Sequence, residues 1–214
     1  RHTRCSRDWS SACALPILGG LYTGRASPDA DQRHTAGVDF QLATSSFLGS
    51  ENLNVGGYYL HTSNPRHTGN SDAFGLRVEY PNDFWNATFA YRGVQPNFVP
   101  AVGFAPRTGF YQYAPVVSMN QRPRNHPLVR RVSLGLEGNL LTDMDHRLLE
   151  RTATLTPIQI ELHTQDTLTF SVVTSRERLE RDFPISRGIV LPAGAEYAYH
   201  RYVARGATAN RRVV

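Results

Sequence analysis

From Phe74 to Tyr80 the apolar side chains Phe74, Leu76, Val78 and Tyr80 fall on every second position, with Arg77 and Glu79 between them. After "PND" the pattern resumes, with Trp85, Ala87, Phe89 and Tyr91 set against Asn86, Thr88 and Arg92. A period of two belongs to strands, whose successive Cβ atoms point to opposite faces. The alternation recurs about every 20 residues while a helical period is almost absent, which predicts roughly ten antiparallel strands. They are drawn near 14–25, 34–45, 52–63, 72–81, 84–95, 109–121, 128–142, 147–164, 166–178 and 195–206. The fold class is therefore all-β.

The same two-sidedness marks other strands. Val38, Phe40 and Leu42 alternate with Asp39 and Gln41. Val132, Leu134, Leu136 and Leu140 oppose Ser133, Glu137 and Asn139, and Ile158, Ile160 and Leu162 oppose Glu161 and His163. Each apolar side must be removed from water, either inside a soluble sandwich or against lipid on the outside of a membrane barrel. Hydropathy alone does not decide. The mean is −0.39, and no apolar run of about 18 residues exists to make a membrane helix. A barrel strand hides from hydropathy because every second residue faces a polar lumen.

Turn lengths and aromatic placement favour the barrel. Links after the second, fourth and eighth strands are compact ("SSFLGSEN", "PND", "TQD"), whereas those after the third, fifth and ninth are long. Short turns at one end and long loops at the other are an outer-membrane pattern; "TDMDHR", a short link at the long-loop end, breaks the parity. Aromatic residues gather at strand ends, at Tyr58 and Tyr59, Tyr80, Phe84 and Trp85, Phe110 to Tyr113, and Tyr197 to Tyr202. Belts of Tyr and Trp suit the lipid–water boundary, although aromatics are also good strand formers. Pro115 and Pro157 remove ladder donors and point to bulges or edge character.

The net charge of +5 is carried by Arg alone, with no Lys, a composition that a GC-rich coding sequence produces. The Arg residues are scattered rather than aligned, so no nucleic-acid partner is expected. Cys5 and Cys13 lie in an irregular opening segment, and a disulfide between them requires an oxidising compartment. With no initiator Met and no signal peptide, the chain is expected to be an internal fragment, with residues 1–13 a connector and 14–214 part of one barrel domain.

"WNATFAYRGVQPNFVPAVGFAPRTGFYQYAP" (Trp85 to Pro115), "LGGLYTGR" (Leu18 to Arg25) and "SRERLERDFPISRGIVLPAGAEYAYHRY" (Ser175 to Tyr202) carry a resemblance. They are similar to an uncharacterised bacterial outer-membrane β-barrel family found C-terminal to a family-9-like carbohydrate-binding domain. The element Gly103, Phe104, Ala105, Pro106, Arg107 is its most specific part. The resemblance implies an up-and-down transmembrane β-barrel in the bacterial outer membrane, outer-membrane lipid as partner, and a glycan partner through the neighbouring domain, which this chain does not include. The opening residues and "ANRRVV", which lacks a terminal aromatic, depart from the pattern.

On that orientation Leu76, Val78, Trp85 and Phe89 are expected to face lipid. Asp39, Gln41, Arg77, Glu79, Asn86, Arg92, Glu137, Glu161 and His163 are expected to line the interior, as a solvated, ion-paired wall or a polar pathway. Arg on the lipid face at mid-membrane would cost about 2–4 kcal/mol, enough to fix the hairpin's orientation. In "GFAPRTG" Pro106 stiffens the loop, Gly103 and Gly109 permit turns, and Arg107 offers a planar fork that ties to a rim carboxylate or captures a ligand. "TDMDH" gathers Asp143, Asp145 and His146 without the spacing of a metal loop. No cofactor, metal or catalytic set is expected, and the role is anchoring or passage linked to glycan handling. Two alternatives compete: a soluble β-sandwich or β-barrel binding module with its aromatic face inward, and a glycan hydrolase using Glu79, Glu137 or Glu161.

Overall fold

A computed structural model describes residues 16–27, 30–65 and 69–209. The expected connector, its two cysteines and the last five residues lie outside the described part. Twelve strands and no helix occur in it: β1 (Ile17–Ser27), β2 (Ala30–Phe47), β3 (Glu51–Ser63), β4 (Asp72–Pro81), β5 (Trp85–Val94), β6 (Phe110–Gln121), β7 (Val129–Thr142), β8 (Leu148–Leu162), β9 (Thr167–Arg178), β10 (Phe183–Ser186), β11 (Ile189–Leu191) and β12 (Glu196–Ala207). Ten form one antiparallel sheet in the order β1-β2-β3-β4-β5-β6-β7-β8-β9-β12. The short β10–β11 hairpin sits within the last long loop, where no strand was expected. β1 and β12 are the two edges of the sheet.

Within the main sheet each strand pairs with the next one along the chain, β10 and β11 being set apart in the link from β9 to β12, and the links sort by end. At one end they are residues 48–50, 82–84, 122–128 and 163–166; at the other, among the described links, 64–71, 95–109, 143–147 and 179–195. The short end is knit by Asn82, whose side chain accepts from the Asn52 amide at 2.8 Å and donates to the Asn52 carbonyl at 3.0 Å, tying two turns together. Pro157 falls at a register shift between Leu155 and Ile158. Pro115 interrupts the ladder without a shift, pairing resuming from Tyr113 with Leu140 to Val116 with Glu137.

The register carries the alternation across the whole sheet. Val38 lies beside Tyr59, Tyr59 beside Phe74, Leu76 beside Tyr91, Phe89 beside Pro115, Val117 beside Leu136, Leu136 beside Leu155 and Ile158 beside Phe170. One face is thus apolar from β2 to β9. The opposite face aligns Asp39, Gln41, Arg77, Glu79, Arg92, Gln112, Glu137, Asn139 and Glu161 with runs of Thr and Ser.

The sheet is curled around its polar face. The Ala101 amide, in the 95–109 loop, donates to Thr35 Oγ1 on β2 at 2.8 Å, and Arg107 in the same loop donates to Glu150 Oε1 on β8 at 2.7 Å. One cavity of about 290 Å³ beneath the loop is lined both by Tyr58 on β3 and by Glu150 on β8, strands that a flat sheet would hold roughly 24 Å apart. The loop reaches both walls because the sheet bends them together.

The buried core confirms which side is inside. Ala73, Val94, Phe98, Phe110, Leu141 and Leu149 form one cluster, at the long-loop end of the concave side beneath the 95–109 loop. The apolar face has no such cover: Trp85 is 47%, Phe89 41% and Leu136 49% exposed. Among the described residues nothing packs on it.

Candidate functional site

The concave face forms a trough. A cavity of about 550 Å³ is lined by Asp39, Gln41, Tyr58, Arg77, Glu79 and Arg92, among others, and one of about 290 Å³ continues under the loop past Arg107 and Glu150. Tyr58, Arg92 and Gln112 line both. Tyr58 belongs there by parity, opposite Asp39 on one side and Gly75 on the other. A Cβ on Gly75 would sit 2.5 Å from the Tyr58 ring, so glycine is what lets that ring lie across β4.

Trough side chains bond chiefly to one another. Arg92 donates to Gln112 Oε1 and Gln112 Nε2 donates to Asn139 Oδ1, both at 2.7 Å, a chain crossing β5, β6 and β7. Arg92 also lies over the Phe110 ring, 5.3 Å from its centre. Arg77 Nε donates to Glu79 Oε1 at 2.6 Å. Glu161 accepts from Arg130 at 2.9 Å and Arg131 at 2.7 Å. Hydroxyl pairs Thr152–Ser175 and Thr156–Ser171 continue the lining at 3.2 and 2.9 Å. The surface is polar and of mixed charge, with several of its guanidinium groups paired within it.

The 95–109 loop closes one end of the trough. Its main chain is anchored by Thr35 and by Thr62, whose Oγ1 accepts from the Val99 amide at 3.4 Å, while Phe98 and Ala101 are buried. Gly103 takes φ +84°, a left-handed turn that glycine adopts without strain. Beyond it Arg107 forks between Glu150 at 2.7 Å and Glu180 at 2.8 Å. Its guanidinium therefore joins the loop to β8 and to the β9–β12 link. Phe104, at the loop's tip, is 83% exposed.

Of the residues named from sequence, Leu76, Val78, Trp85 and Phe89 share the convex face. Asp39, Gln41, Arg77, Glu79 and Arg92 come together in the main cavity. Asn86, Glu137 and Glu161 occupy concave positions farther along their strands. His163 departs from expectation: β8 ends at Leu162, and His163 lies in the short-end turn, its ring nitrogen 3.1 Å from the His126 carbonyl. The alternation was extended past a strand end where the chain already turns.

The "TDMDH" side chains serve the turn itself. Asp143 Oδ1 accepts from the amides of Asp145 and Arg147 at 2.9 and 2.8 Å, and the His146 ring stacks on Tyr111, 4.9 Å between centres. Among the described residues no three His, Cys, Asp or Glu converge as metal ligands. Gln112 escaped sequence reading because its neighbours Ala114 and Val116 on the same face are apolar. Glu150, Glu180, Thr35 and Thr62 escaped it because their roles depend on contacts with a distant loop. No family model, no curated protein and no solved structure matches the chain.

Proposed function

We propose that the chain forms the wall of a bacterial outer-membrane β-barrel, its convex face solvated by acyl chains and its trough facing a wet interior narrowed by the 95–109 loop. The single observation that carries this reading is the continuous apolar convex face, on which nothing packs among the described residues. Water-soluble domains rarely expose contiguous apolar patches beyond a few hundred Å², and this one runs across eight strands.

Three features support it. Every strand of the main sheet has 10 to 18 residues, and a tilted strand needs about 9–11 to cross a bilayer. Aromatic rings sit on both sides of an aliphatic band: Phe47, Tyr80, Phe84 and Trp85 near the short turns, and Phe74, Tyr91, Tyr111 and Tyr113 near the long loops. Finally, among the described residues β1 and β12 are the outermost strands of the sheet, and a barrel pairs such strands with each other or with further ones.

The role is anchoring or passage of polar solutes, with no chemistry of its own. A link to glycan handling follows from the resemblance alone, through a preceding carbohydrate-binding-like domain. The decisive experiment uses Trp9→Phe, so that Trp85 is the single indole. Reconstituted in phosphatidylcholine with brominated acyl chains, Trp85 emission should be strongly quenched. A monodisperse protein in detergent-free buffer, with Trp85 blind to brominated lipid, would reject the proposal.

A further inference from the structure

Charge is nearly absent from the apolar band on the convex face, but at the long-loop end of β8, β9 and β12 it appears abruptly. Along β9 the outward positions run Phe170, Val172, Thr174, Arg176, Arg178; along β8, Leu155, Ala153, Arg151; along β12, Ala204, Tyr202, His200, Ala198, Glu196. Arg151 and Arg176 are direct cross-strand partners. Like charges placed opposite each other on adjacent strands destabilise a sheet unless an anion lies between them. Glu196 ion-pairs with Arg176 and is the cross-strand partner of Arg178. Arg151 has no carboxylate partner among the described residues, so the patch keeps a positive excess and an unused guanidinium fork. All three Arg are exposed.

Depth selects the occupant. Arg176 is four residues beyond Val172, about 13 Å along the strand and ~10 Å along the membrane normal for a tilt near 40°. That carries the guanidinium groups from the aliphatic band past Tyr202 to the headgroup level. An Arg fork matches phosphate oxygens in pairs.

We propose that Arg151, Arg176 and Arg178 bind the phosphate of an anionic lipid headgroup at the long-loop side of the membrane. This site rests on the membrane reading above. The patch holds a lipid rather than a soluble anion because it continues directly into the acyl-facing surface, so headgroup and chains are engaged together.

The test compares two reporters in vesicles of brominated phosphatidylcholine or brominated phosphatidate. One is Tyr202→Trp in a Trp9→Phe, Trp85→Phe background, two outward positions from Ala198 beside Arg176; the other is Trp85 itself, five strands away. Phosphatidate should be preferred at the Tyr202→Trp reporter and not at Trp85, and Arg151→Gln should lower that preference about five-fold, with Arg151→Lys retaining most of it. Equal preference at both reporters, or no change in Arg151→Gln, overturns the site and leaves the barrel intact. Loss of the preference on adding inorganic phosphate overturns the lipid assignment in favour of a free anion. Absence of quenching by either lipid at either reporter removes the membrane reading and this site with it.

Discussion

The loop end of the trough and the middle of the convex face are built from the same strands, yet they solve burial in opposite ways. Under the 95–109 loop, Phe98, Phe110, Val94 and Leu141 have protein on every side. On the convex face, Val117, Leu136 and Leu155 have neighbours along the sheet and, among the described residues, none above it. A single-layer sheet cannot shield both faces with its own atoms. The 95–109 loop covers the inner face, and the outer one depends on the solvent it meets.

The largest effect belongs to the inner region. Phe110→Ala removes a ring that is 4% exposed and on which Arg92 rests, leaving a cavity that should cost about 3–5 kcal/mol. Denaturant unfolding in detergent micelles measures it. A loss below about 1 kcal/mol would mean that the loop collapses into the space and that the two regions differ less than their packing implies.

Leu136→Arg probes the outer region and separates the two solvents. Leu136 lies between Val117 and Leu155, midway between the aromatic rows. With lipid outside, the substitution should cost about 2–4 kcal/mol; with water outside, an exposed change of this kind stays within roughly 0.5 kcal/mol. Folding yield into phosphatidylcholine vesicles, compared with Leu136→Ala, distinguishes these outcomes. The concave control Glu137→Arg, one residue away, should be tolerated in either solvent.

This contrast also explains what the sequence made legible. Alternation is a local property: Phe74 to Tyr91 placed every side chain of that hairpin on its observed face, and ten strand positions followed from the same period. Turn lengths are equally local, so the sorting of long and short links could be read as well. Closure of the trough was not local. Arg107 was recognisable as a fork in a stiffened loop, but Glu150 and Glu180 lie 43 and 73 residues away, and no spacing rule connects them. The Arg151–Arg176 pair was hidden for a related reason, since scattered Arg converge only once the β8–β9 register is fixed. His163 shows the converse limit, a period carried one residue too far.

The Arg107 fork ties the loop across the trough to Glu150 and Glu180, and on the proposed barrel reading its removal should act on passage more than on stability. Its side chain is 35% exposed and those of Glu150 and Glu180 are 42% and 54% exposed, so screening by water limits the two pairs to about 1 kcal/mol together. Arg107→Ala should leave the spectroscopic strand content unchanged while raising solute flux or single-channel conductance in reconstituted membranes. Unchanged permeability would mean that Thr35 and Thr62 alone hold the loop, and that the trough's narrowing is a fixed feature of the sheet.

The smallest effect comes from the short-turn end, where exposed groups replace packing altogether. Arg122 clasps Asp83 with Nε 3.1 Å from both carboxylate oxygens and one terminal nitrogen 2.6 Å from Oδ1. These hydrogen bonds, aided by the charges of Arg122 and Arg131, hold the Asp83 carboxyl below its ordinary value of 3.8. A carboxyl whose folded value is depressed stabilises the fold above its unfolded value, and that contribution is lost as pH falls through the lower folded one. Other carboxylates titrate in the same window, so the informative quantity is the difference between the parent and Asp83→Asn. It should be small and constant well above the ordinary carboxyl value and should close as pH falls below that value and through the depressed folded one. A difference that persists unchanged in acid would show that the ionised Asp83–Arg122 pair is not its source.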